Sequence, residues 1–286
     1  MKEDNLIDMH IHSTYSDGEL TPHELLEYSS DKNISIISIT DHDTILGAKE
    51  AINNNNFSNI KIIPGIELGA QFKGGQLHIL GYGISLNDPN LNFITELIRK
   101  DNIDRIRFII EQLMKYKNIN FHNSDLEKIY FSSGSVGRPD IAKLMVKYGH
   151  VRTVKDAFTI FNEVPKYKKK IELTDYECIK YIIQAGGIAS LAHNITLKRD
   201  IDWIEKYVYT LASYGLEAIE AYHSSHDAIY TQRTLRIAEK LGLFVSGGSD
   251  YHGPIVKPDV QLGTGKNNNL HITELSIIDE LKRRIK

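Results

Sequence analysis

Short runs of consecutive apolar residues recur along the chain and predict seven β-strands. Several runs are nearly continuous rather than alternating, which is typical of parallel strands that are covered on both faces. Each run is short enough to be a strand, and turn-forming or polar residues follow most of them. The predicted strands are Leu6–Ile11, Ile34–Ile39, 60–63, 77–80, 187–191, 218–221 and 243–246.

Amphipathic segments between many of these runs predict helices. The first begins at Thr21-Pro22-His23-Glu24, where Thr21 suits the N-cap, Pro22 the first helical position and Glu24 a capping box. Gly242 ends a later one. Strand–helix alternation of this kind predicts an α/β fold with a parallel sheet. Two further helices are predicted at 201–214 and 228–241.

Residues 87–177 break this alternation, because no convincing strand lies among them. The apolar positions at 93–116 follow the helical period and predict one long helix. We therefore predict a helical cap insertion at 87–177 between the fourth and fifth strands, in a domain formed by residues 1–86 and 178–286. Shorter helices are predicted at 125–130, 139–148 and 154–161.

Histidines and carboxylates cluster at or near the ends of the predicted strands. His10 and His12 are two residues apart on one strand, so both side chains point to the same side. Strand ends that carry ligands are how an α/β barrel forms a catalytic mouth. If the strands form one barrel, nine candidate metal ligands converge on one face: His10, His12, Asp17, His42, Glu67, His78, His193, Asp250 and His252.

Taken singly, these residues also have ordinary interpretations. Asp17 could be a turn aspartate, and His78 a core histidine. Asp43 could cap a helix at 44–51 or, with Asp41, orient His42 through its second ring nitrogen. Glu67 could be a surface glutamate, although its two oxygens also suit it to bridge two cations. It is the number and placement of the residues together that favour a metal site.

Composition and charge narrow the function classes. The chain has 286 residues, 41% of them hydrophobic, and a formal net charge of −3, so neither duplex DNA nor a membrane surface is an expected partner. The polar first residues and the lack of a run of roughly 20 apolar residues predict a cytoplasmic protein. The single cysteine, Cys178, excludes an internal disulfide and a thiolate cluster, so any metal needs nitrogen and oxygen ligands.

The complete motif set resembles the polymerase and histidinol phosphatase (PHP) domain family. The resemblance rests on Asp8-x-His10-x-His12, Thr40-Asp41-His42-Asp43, Gly65-Ile66-Glu67 and Ser249-Asp250-Tyr251-His252. It implies a distorted (β/α)7 TIM-like barrel with three divalent metal ions, Mn²⁺ first and Fe²⁺ or Zn²⁺ as alternatives. It also implies one metal on His10, His12, Glu67 and Asp250, a second on Glu67, His78 and His193, and a third on Asp17, His42 and His252.

The segments Gly137-Arg138-Pro139-Asp140 and Glu217–Tyr222 are similar to a single-domain branch of this family. That branch contains nucleoside 3′,5′-bisphosphate phosphatases and a 5′–3′ exoribonuclease. Two positions depart from the branch pattern, since Asp140 stands where histidine is usual and Asn194 where proline is usual. The first departure changes the charge next to the expected phosphate clamp.

Charge balance also points to phosphate chemistry. Three divalent ions would carry twice the charge of the carboxylates of Asp17, Glu67 and Asp250, leaving an excess that suits a phosphate dianion and a hydroxide. A metal-bridging hydroxide would attack phosphorus in line. Arg138, with its planar fork, is the expected phosphate clamp. We also expect substrate contacts from Lys168, His223 and His226, and favour His226 as the acid that protonates the leaving group.

The leading hypothesis is a phosphomonoester hydrolase that acts on a nucleoside 3′,5′-bisphosphate and also on short 5′-phosphorylated RNA. Alternatives are a phosphatase for histidinol phosphate or a cyclic phosphate, and a non-catalytic, metal-stabilised PHP module. A zinc hydrolase of C–N bonds would need a bridging lysine, and Lys61 lies too far from the third strand's end. The sequence leaves the oligomeric state open.

Overall fold

The computed structural model describes residues 5–284 as an α/β fold with two main sheets and helices around them. The strands are β1 (Leu6–Ile11), β2 (Ile34–Ile39), β3 (Lys61–Ile62), β4 (Gly65–Ala70), β5 (Leu77–Tyr82), β6 (Ile188–Leu191), β7 (Ala218–His223), β8 (Phe244–Gly248), β9 (Val260–Gln261) and β10 (Gly265–Lys266). The helices are α1 (Pro22–Asp31), α2 (Leu46–Asn53), α3 (Pro89–Lys117), α4 (Asn123–Tyr130), α5 (Arg138–Lys147), α6 (Val154–Phe161), α7 (Asp175–Gln184), α8 (Ile201–Ser213), α9 (Ala228–Leu241) and α10 (Ser276–Arg284).

The strands form a three-stranded parallel sheet, β1-β2-β3, and a five-stranded sheet, β4-β5-β6-β7-β8. The expectation of a purely parallel sheet is wrong for β5, which runs antiparallel to both β4 and β6. The remaining pairs of the larger sheet, β6 with β7 and β7 with β8, are parallel. β9 and β10 form a separate small hairpin.

Strand β4 is absent from the sequence prediction, which placed one strand at 60–63 and took Glu67 as a residue beyond its end. The structure reduces that strand to β3 and adds β4, with Glu67 in its interior and fully buried. A glutamate between Ile66 and Leu68 gives an alternating pattern in which the polar position would normally face water. Here that position faces other polar side chains inside the protein, so the alternation did not reveal a buried strand.

The two main sheets contact each other at two points. Single parallel bridges join Ile11, the last residue of β1, to Tyr251 after β8, and His42 after β2 to Glu67 on β4. Within residues 5–284, the continuous ladders form two sheets rather than one closed barrel. Both bridges lie beside candidate ligands, and they therefore fix the distance between the ligand-bearing loops.

The predicted helix signals are confirmed. Thr21 caps α1 with the full capping box to Glu24, Pro22 stands at its start, and Gly242 ends α9 in the left-handed conformation. The long helix predicted at 93–116 is present as α3 and begins slightly earlier, because Asp88 accepts a hydrogen bond from the backbone N–H of Leu91.

The predicted insertion contains helices α3 to α6, and no strand of the described structure lies within 87–177. Its helices pack around their own apolar cluster. The first part of α3 instead packs on the main core through Leu91, Ile94 and Ile98, so this helix anchors the insertion to the sheets. The cluster inside the insertion consists of Ile106, Ile109, Leu113, Ile119, Val136, Ile141, Ala142, Met145, Ala157, Phe161 and Val164.

Two predictions from the composition concern membrane-spanning segments and the single cysteine. None of the helices within residues 5–284 has the length and apolar character needed to cross a bilayer. Cys178 is completely buried in the main core, and burial raises the pKa of its thiol well above the usual value. Both properties fit a packing role for this cysteine, as predicted.

Candidate metal centre

The structure brings the nine predicted ligands together at one place between the two sheets. His10 lies on β1, Glu67 on β4 and His78 on β5, and the others lie on the turns that follow β1, β2, β6 and β8. Their side chains form a continuous network of contacts below 4 Å, made up of His10, His12, Asp17, His42, Glu67, His78, His193, Asp250 and His252.

Glu67 is the centre of this network, and its two oxygens face different histidines. Oε1 lies 2.8 Å from His78 Nδ1 and 2.9 Å from His193 Nε2. This division is what a carboxylate that bridges two cations requires. Oε2 faces a second group at 3.1 to 3.3 Å, formed by His10 Nε2, His12 Nε2 and His42 Nδ1.

Two aspartates complete the network on either side of His12. Asp250 Oδ1 lies 3.3 Å from His12 Nε2, and Asp17 Oδ1 lies 3.6 Å from His12 Nδ1 and 3.2 Å from His252 Nε2. Ligand atoms bound at about 2.1 Å to one ion are roughly 3 to 3.5 Å apart. The spacing between these atoms therefore suits ions held between them.

Two of the candidate ligand atoms are buried without a hydrogen bond. These are His12 Nε2 and Asp17 Oδ1, among the atoms of the described residues. Leaving a buried acceptor unsatisfied costs about 1–3 kcal/mol, and more for a charged group. Since both atoms point into the histidine and carboxylate network, a cation bound there would remove this cost. The residues present therefore fit a divalent metal.

The protonation states of the network are also suited to cations. Burial lowers the pKa of His42 to about 3, so its imidazole is neutral at pH 7. Burial alone would raise the pKa of Glu67, but the surrounding histidines, His42 and His10 foremost, hold it well below its usual range. Burial opposes charge on His12, yet the nearby carboxylates of Asp250 and Glu67, 3.3 and 3.2 Å from its Nε2, raise its pKa to about 9. A metal that binds His12 would therefore displace a proton.

A further cluster of possible ligands, His10, Glu220 and His223, does not extend the candidate metal centre. The backbone N–H of Ser225 donates to His223 Nδ1 at 3.0 Å, so the ring carries its proton on Nε2. That nitrogen faces Asp250 Oδ2 at 3.3 Å as a hydrogen-bond donor and cannot ligate a cation.

Buried carboxylates outside the network fix the loops that carry it. Asp41 accepts hydrogen bonds from the backbone N–H and hydroxyl of Ser13 and from the hydroxyl of Ser16, so it holds the turn that leads to Asp17. Asp43 accepts from the backbone N–H of Gly69. The idea that Asp41 and Asp43 orient His42 is therefore wrong, and Asp43 does not cap α2 either, which begins at Leu46 after an uncapped residue.

A cavity of about 290 Å³ opens between this network and the helical insertion. That volume is close to the lower end for small-molecule sites. A larger cavity of about 560 Å³ lies beside α10, but no histidine lines it, so it is a poorer candidate for metal chemistry. The smaller cavity is lined by Asp17, His42 and His78 on one side and by Asn102, Arg105, Arg138, Phe158 and Lys169 on the other.

Two arginines of the insertion face this cavity without a carboxylate partner. Arg138 begins α5 and lies over the ring of Phe158, with 5.1 Å between the guanidinium carbon and the ring centroid. Burial, and next the charge of Arg138, lower the pKa of Arg105 to about 10. Within residues 5–284, neither guanidinium forms an ion pair shorter than 4 Å. Two neighbouring, partly buried positive charges of this kind are suited to an anion.

The other predicted substrate contacts lie in different places. Lys168 is exposed and does not line the cavity, whereas the next residue, Lys169, does. His223 and His226 do not line it either. His226 is buried, donates from Nδ1 to the carbonyl of Ala221 and lies at a tilt against the ring of Tyr230, while burial lowers its pKa to about 4. Its predicted role as an acid thus stays a prediction without a contact to the cavity.

The insertion also contacts a candidate ligand loop directly. Lys143 Nζ on α5 donates to the carbonyl of Asp17 at 3.0 Å and to that of Gly18 at 3.3 Å. The backbone N–H of Ser135 donates to the carbonyl of Tyr15 at 2.7 Å. Helix α5 therefore carries both the predicted phosphate clamp, Arg138, at its first residue and a lysine that holds the Asp17 loop.

Asp140, the departure from the branch pattern, gives a testable pH dependence. It accepts the backbone N–H of Gly137 at 2.7 Å, and burial raises its pKa from 3.8 to about 6. The folded state thus binds this proton more tightly, and stability falls as pH rises from about 4 to about 6. We expect Asp140→Asn to stabilise the metal-free protein at pH 8, by on the order of 1 kcal/mol, and to lose that advantage below pH 4.

Chemical denaturation of the metal-free protein across this pH range measures the effect. Asp156→Asn is the matched control, since Asp156 is the corresponding residue of α6 and is exposed. Equal pH profiles for the Asp140 variant and the parent protein would show that the charge of Asp140 costs nothing.

Three residues near the cavity and the metal centre were not identified from the sequence. Arg105 lies within a helix whose pattern indicated packing, and Lys169 belongs to a basic run in which any member could have been chosen. Glu220 lies in a strand that reads as apolar. Only the resemblance of the segment around Glu220 could have drawn attention to it.

Comparison with known proteins supports the arrangement described above. The PHP domain family matches residues 8–176, more than half of the chain. A 5′–3′ exoribonuclease of Haemophilus influenzae is 28% identical over 249 residues, which are 86% of this chain and 90% of that protein. A 3′,5′-nucleoside bisphosphate phosphatase of Chromobacterium violaceum is 27% identical over 253 residues, or 87% of each chain.

A solved structure is also similar throughout. It belongs to a protein of Bifidobacterium adolescentis described as a metal-dependent phosphoesterase, with a TM-score of 0.82 and 26% identity. The similarity covers 97% of this chain and 96% of the other, so it includes the helical insertion as well as the two sheets.

Proposed function

This chain belongs to the PHP domain family, and we propose that it is a metal-dependent hydrolase that releases phosphate from a small nucleotide, most favourably a nucleoside 3′,5′-bisphosphate. The proposal includes three divalent ions, Mn²⁺ first, held by the nine residues of the network. It also includes the finer description of the fold as a distorted barrel, which the two bridges between the sheets support.

A single observation carries the choice of substrate: the cavity lies between the candidate metal ligands and two arginines, so that bound metal ions would place positive charge on both of its sides. Candidate metal ligands, among them His42 and His78, line one side, and Arg105 and Arg138 line the other without carboxylate partners. A substrate with one phosphate would use only one side. A molecule with two phosphates, one at each end of a ribose, would satisfy both.

The protein's own groups would bind and orient this substrate. Divalent ions in the network would supply an activated water and neutralise charge on the phosphate that reacts. Arg138 would hold the other phosphate through paired N–H donors, and Phe158 would keep the guanidinium in its orientation by packing against it. His223 Nε2 donates to Oδ2 of the candidate ligand Asp250 at 3.3 Å. The ring of His223 therefore contacts the metal centre directly, unlike the ring of His226.

Short 5′-phosphorylated RNA is a second candidate substrate, because a relative of similar coverage is a 5′–3′ exoribonuclease. Its terminal nucleotide offers the same pair of groups, a 5′-phosphate and a 3′-phosphodiester. The two arginines would then bind the first internucleotide phosphate or the 5′-phosphate, depending on the end that reacts. Both substrates therefore use the same cavity.

A phosphate-release screen with Mn²⁺ tests the proposal. We expect release from nucleoside 3′,5′-bisphosphates to exceed release from the corresponding 5′- and 3′-monophosphates by at least tenfold in kcat/KM. Histidinol phosphate, a ribose cyclic phosphate and short 5′-phosphorylated RNA complete the set, and metal analysis of the same samples counts the ions per chain. A preference for histidinol phosphate or the cyclic ester would replace the proposed substrate, and no release from any compound would contradict the proposed activity.

A further inference from the structure

Glu220 is a fully buried carboxylate that none of the substrate or metal assignments above uses. It lies on β7, and its two oxygens make short contacts with strand β1 and with the turn that follows β6. Oε1 lies 2.9 Å from Nδ1 of His10 on β1. Oε2 accepts the backbone N–H of His193, two residues after the end of β6, at 2.6 Å.

Both partners of Glu220 are candidate metal ligands, and both present their other nitrogen to the metal centre. His10 Nε2 lies 3.3 Å from Glu67 Oε2, and His193 Nε2 lies 2.9 Å from Glu67 Oε1. Glu220 therefore stands behind the ligands, on the side away from the cavity, and spans the two groups of histidines that Glu67 separates.

The contact with His10 determines where that ring carries its proton. A carboxylate accepts hydrogen bonds and does not donate them, so Nδ1 must be the donor. The neutral ring then has its lone pair on Nε2, which is the nitrogen that faces Glu67 and Asp250. A carboxylate behind a metal-bound histidine is known to fix ring orientation and to strengthen the bond to the metal.

We propose that Glu220 is a positioning residue that fixes the tautomer of His10 and the backbone of His193, and so sets the affinity of the centre for its metals. The proposal rests on the metal centre described above but not on its substrate. Metal affinity can be measured without any phosphate ester, so its failure is distinguishable from failure of the proposed function.

Substitution of Glu220 by glutamine probes this arrangement with almost no change in size. An amide has one acceptor oxygen and one donor nitrogen, while the pocket presents two donors, His10 Nδ1–H and the N–H of His193. In either orientation of the amide, its NH2 group faces one of these two donors and forms no hydrogen bond with it. If the oxygen stays on His193, the ring of His10 must accept at Nδ1 and carry its proton on Nε2, where it blocks the metal.

The test is the affinity for Mn²⁺ alone, measured by titration with electron paramagnetic resonance. We expect Glu220→Gln to bind at least one ion 10- to 100-fold more weakly than the parent protein. Glu217→Gln is the matched control, because Glu217 lies just before the same strand and pairs with Arg284 at the surface. Thermal unfolding of the metal-free proteins detects a merely structural loss, which would lower stability without selective loss of metal.

A second measurement does not depend on the variant. In the Zn²⁺-loaded parent protein, nitrogen NMR of the His10 ring should show a protonated Nδ1 and a metal-bound Nε2. A folded Glu220→Gln protein with unchanged affinity for every ion would overturn the proposal. So would a His10 ring that carries its proton on Nε2 in the parent protein.

Discussion

Replacing Glu67 by glutamine should reduce phosphate release by roughly 1000-fold, which corresponds to about 4 kcal/mol of activation free energy. Glu67 is completely buried and faces five histidines through two oxygens. An amide of the same size keeps one of these oxygens and turns a donor toward the other group of histidines. It also removes the negative charge that favours cations between them, so the bridging position is lost along with the activity.

Two measurements on the same samples separate this effect from misfolding. The metal content of Glu67→Gln should fall, whereas far-ultraviolet circular dichroism should match the parent protein. Glu205→Gln, which removes a surface carboxylate paired with Lys240, should leave both activity and metal content unchanged. A variant of Glu67 that retains all its metal and most of its activity would contradict a bridging role.

The metal centre was predictable from the sequence because its ligands follow strands that are themselves easy to recognise. β1 and β2 are mostly apolar runs, and His12 follows the first directly while His42 lies three residues after the second. The site of Glu67 was predictable, but its strand was not. A glutamate is unusual inside a buried strand, and here it faces the candidate metal ligands rather than the apolar core. Its presence interrupts the apolar run by which a buried strand is recognised.

The antiparallel arrangement of β5 has a similar explanation. Strand order and direction depend on how the connections cross the sheets, and the short hairpin between β4 and β5 could be recognised only once β4 was. The sequence prediction treated 60–63 and 77–80 as successive strands of a parallel sheet. Gly74 and Gly75, in the loop that joins β4 and β5, are instead the turn residues of that hairpin.

The cavity side of the insertion was the least predictable part. Arg138 was expected there because of its motif, but Arg105 comes from the middle of α3 and Lys169 from a loop. Asp101 fixes that loop by accepting the hydroxyl of Tyr167 and the backbone N–H groups of Lys170 and Ile171. Such long-range pairing of a helix with a loop leaves no periodic signal, so the structure was needed to identify Lys169 rather than Lys168.

Arg138→Ala should lower kcat/KM for a nucleoside 3′,5′-bisphosphate on the order of 100-fold and change that for a monophosphate by less than about threefold. Arg138 lines the cavity opposite the metal ligands, and its guanidinium has no carboxylate partner to release. Only the substrate with a second phosphate can use its paired donors. Arg138→Lys should recover part of the loss, since it restores the charge but not the planar fork.

Arg107→Ala is the matched control for this experiment. Arg107 also lies on α3 but does not line the cavity, and it packs over the ring of Tyr130, so its loss should affect both substrates equally and weakly. Arg105→Ala, in contrast, should behave like Arg138→Ala, because both guanidinium groups line the cavity and are expected to bind the same anion. An unchanged ratio between bisphosphate and monophosphate in Arg138→Ala would place the second phosphate elsewhere and leave only the metal centre in the proposed function.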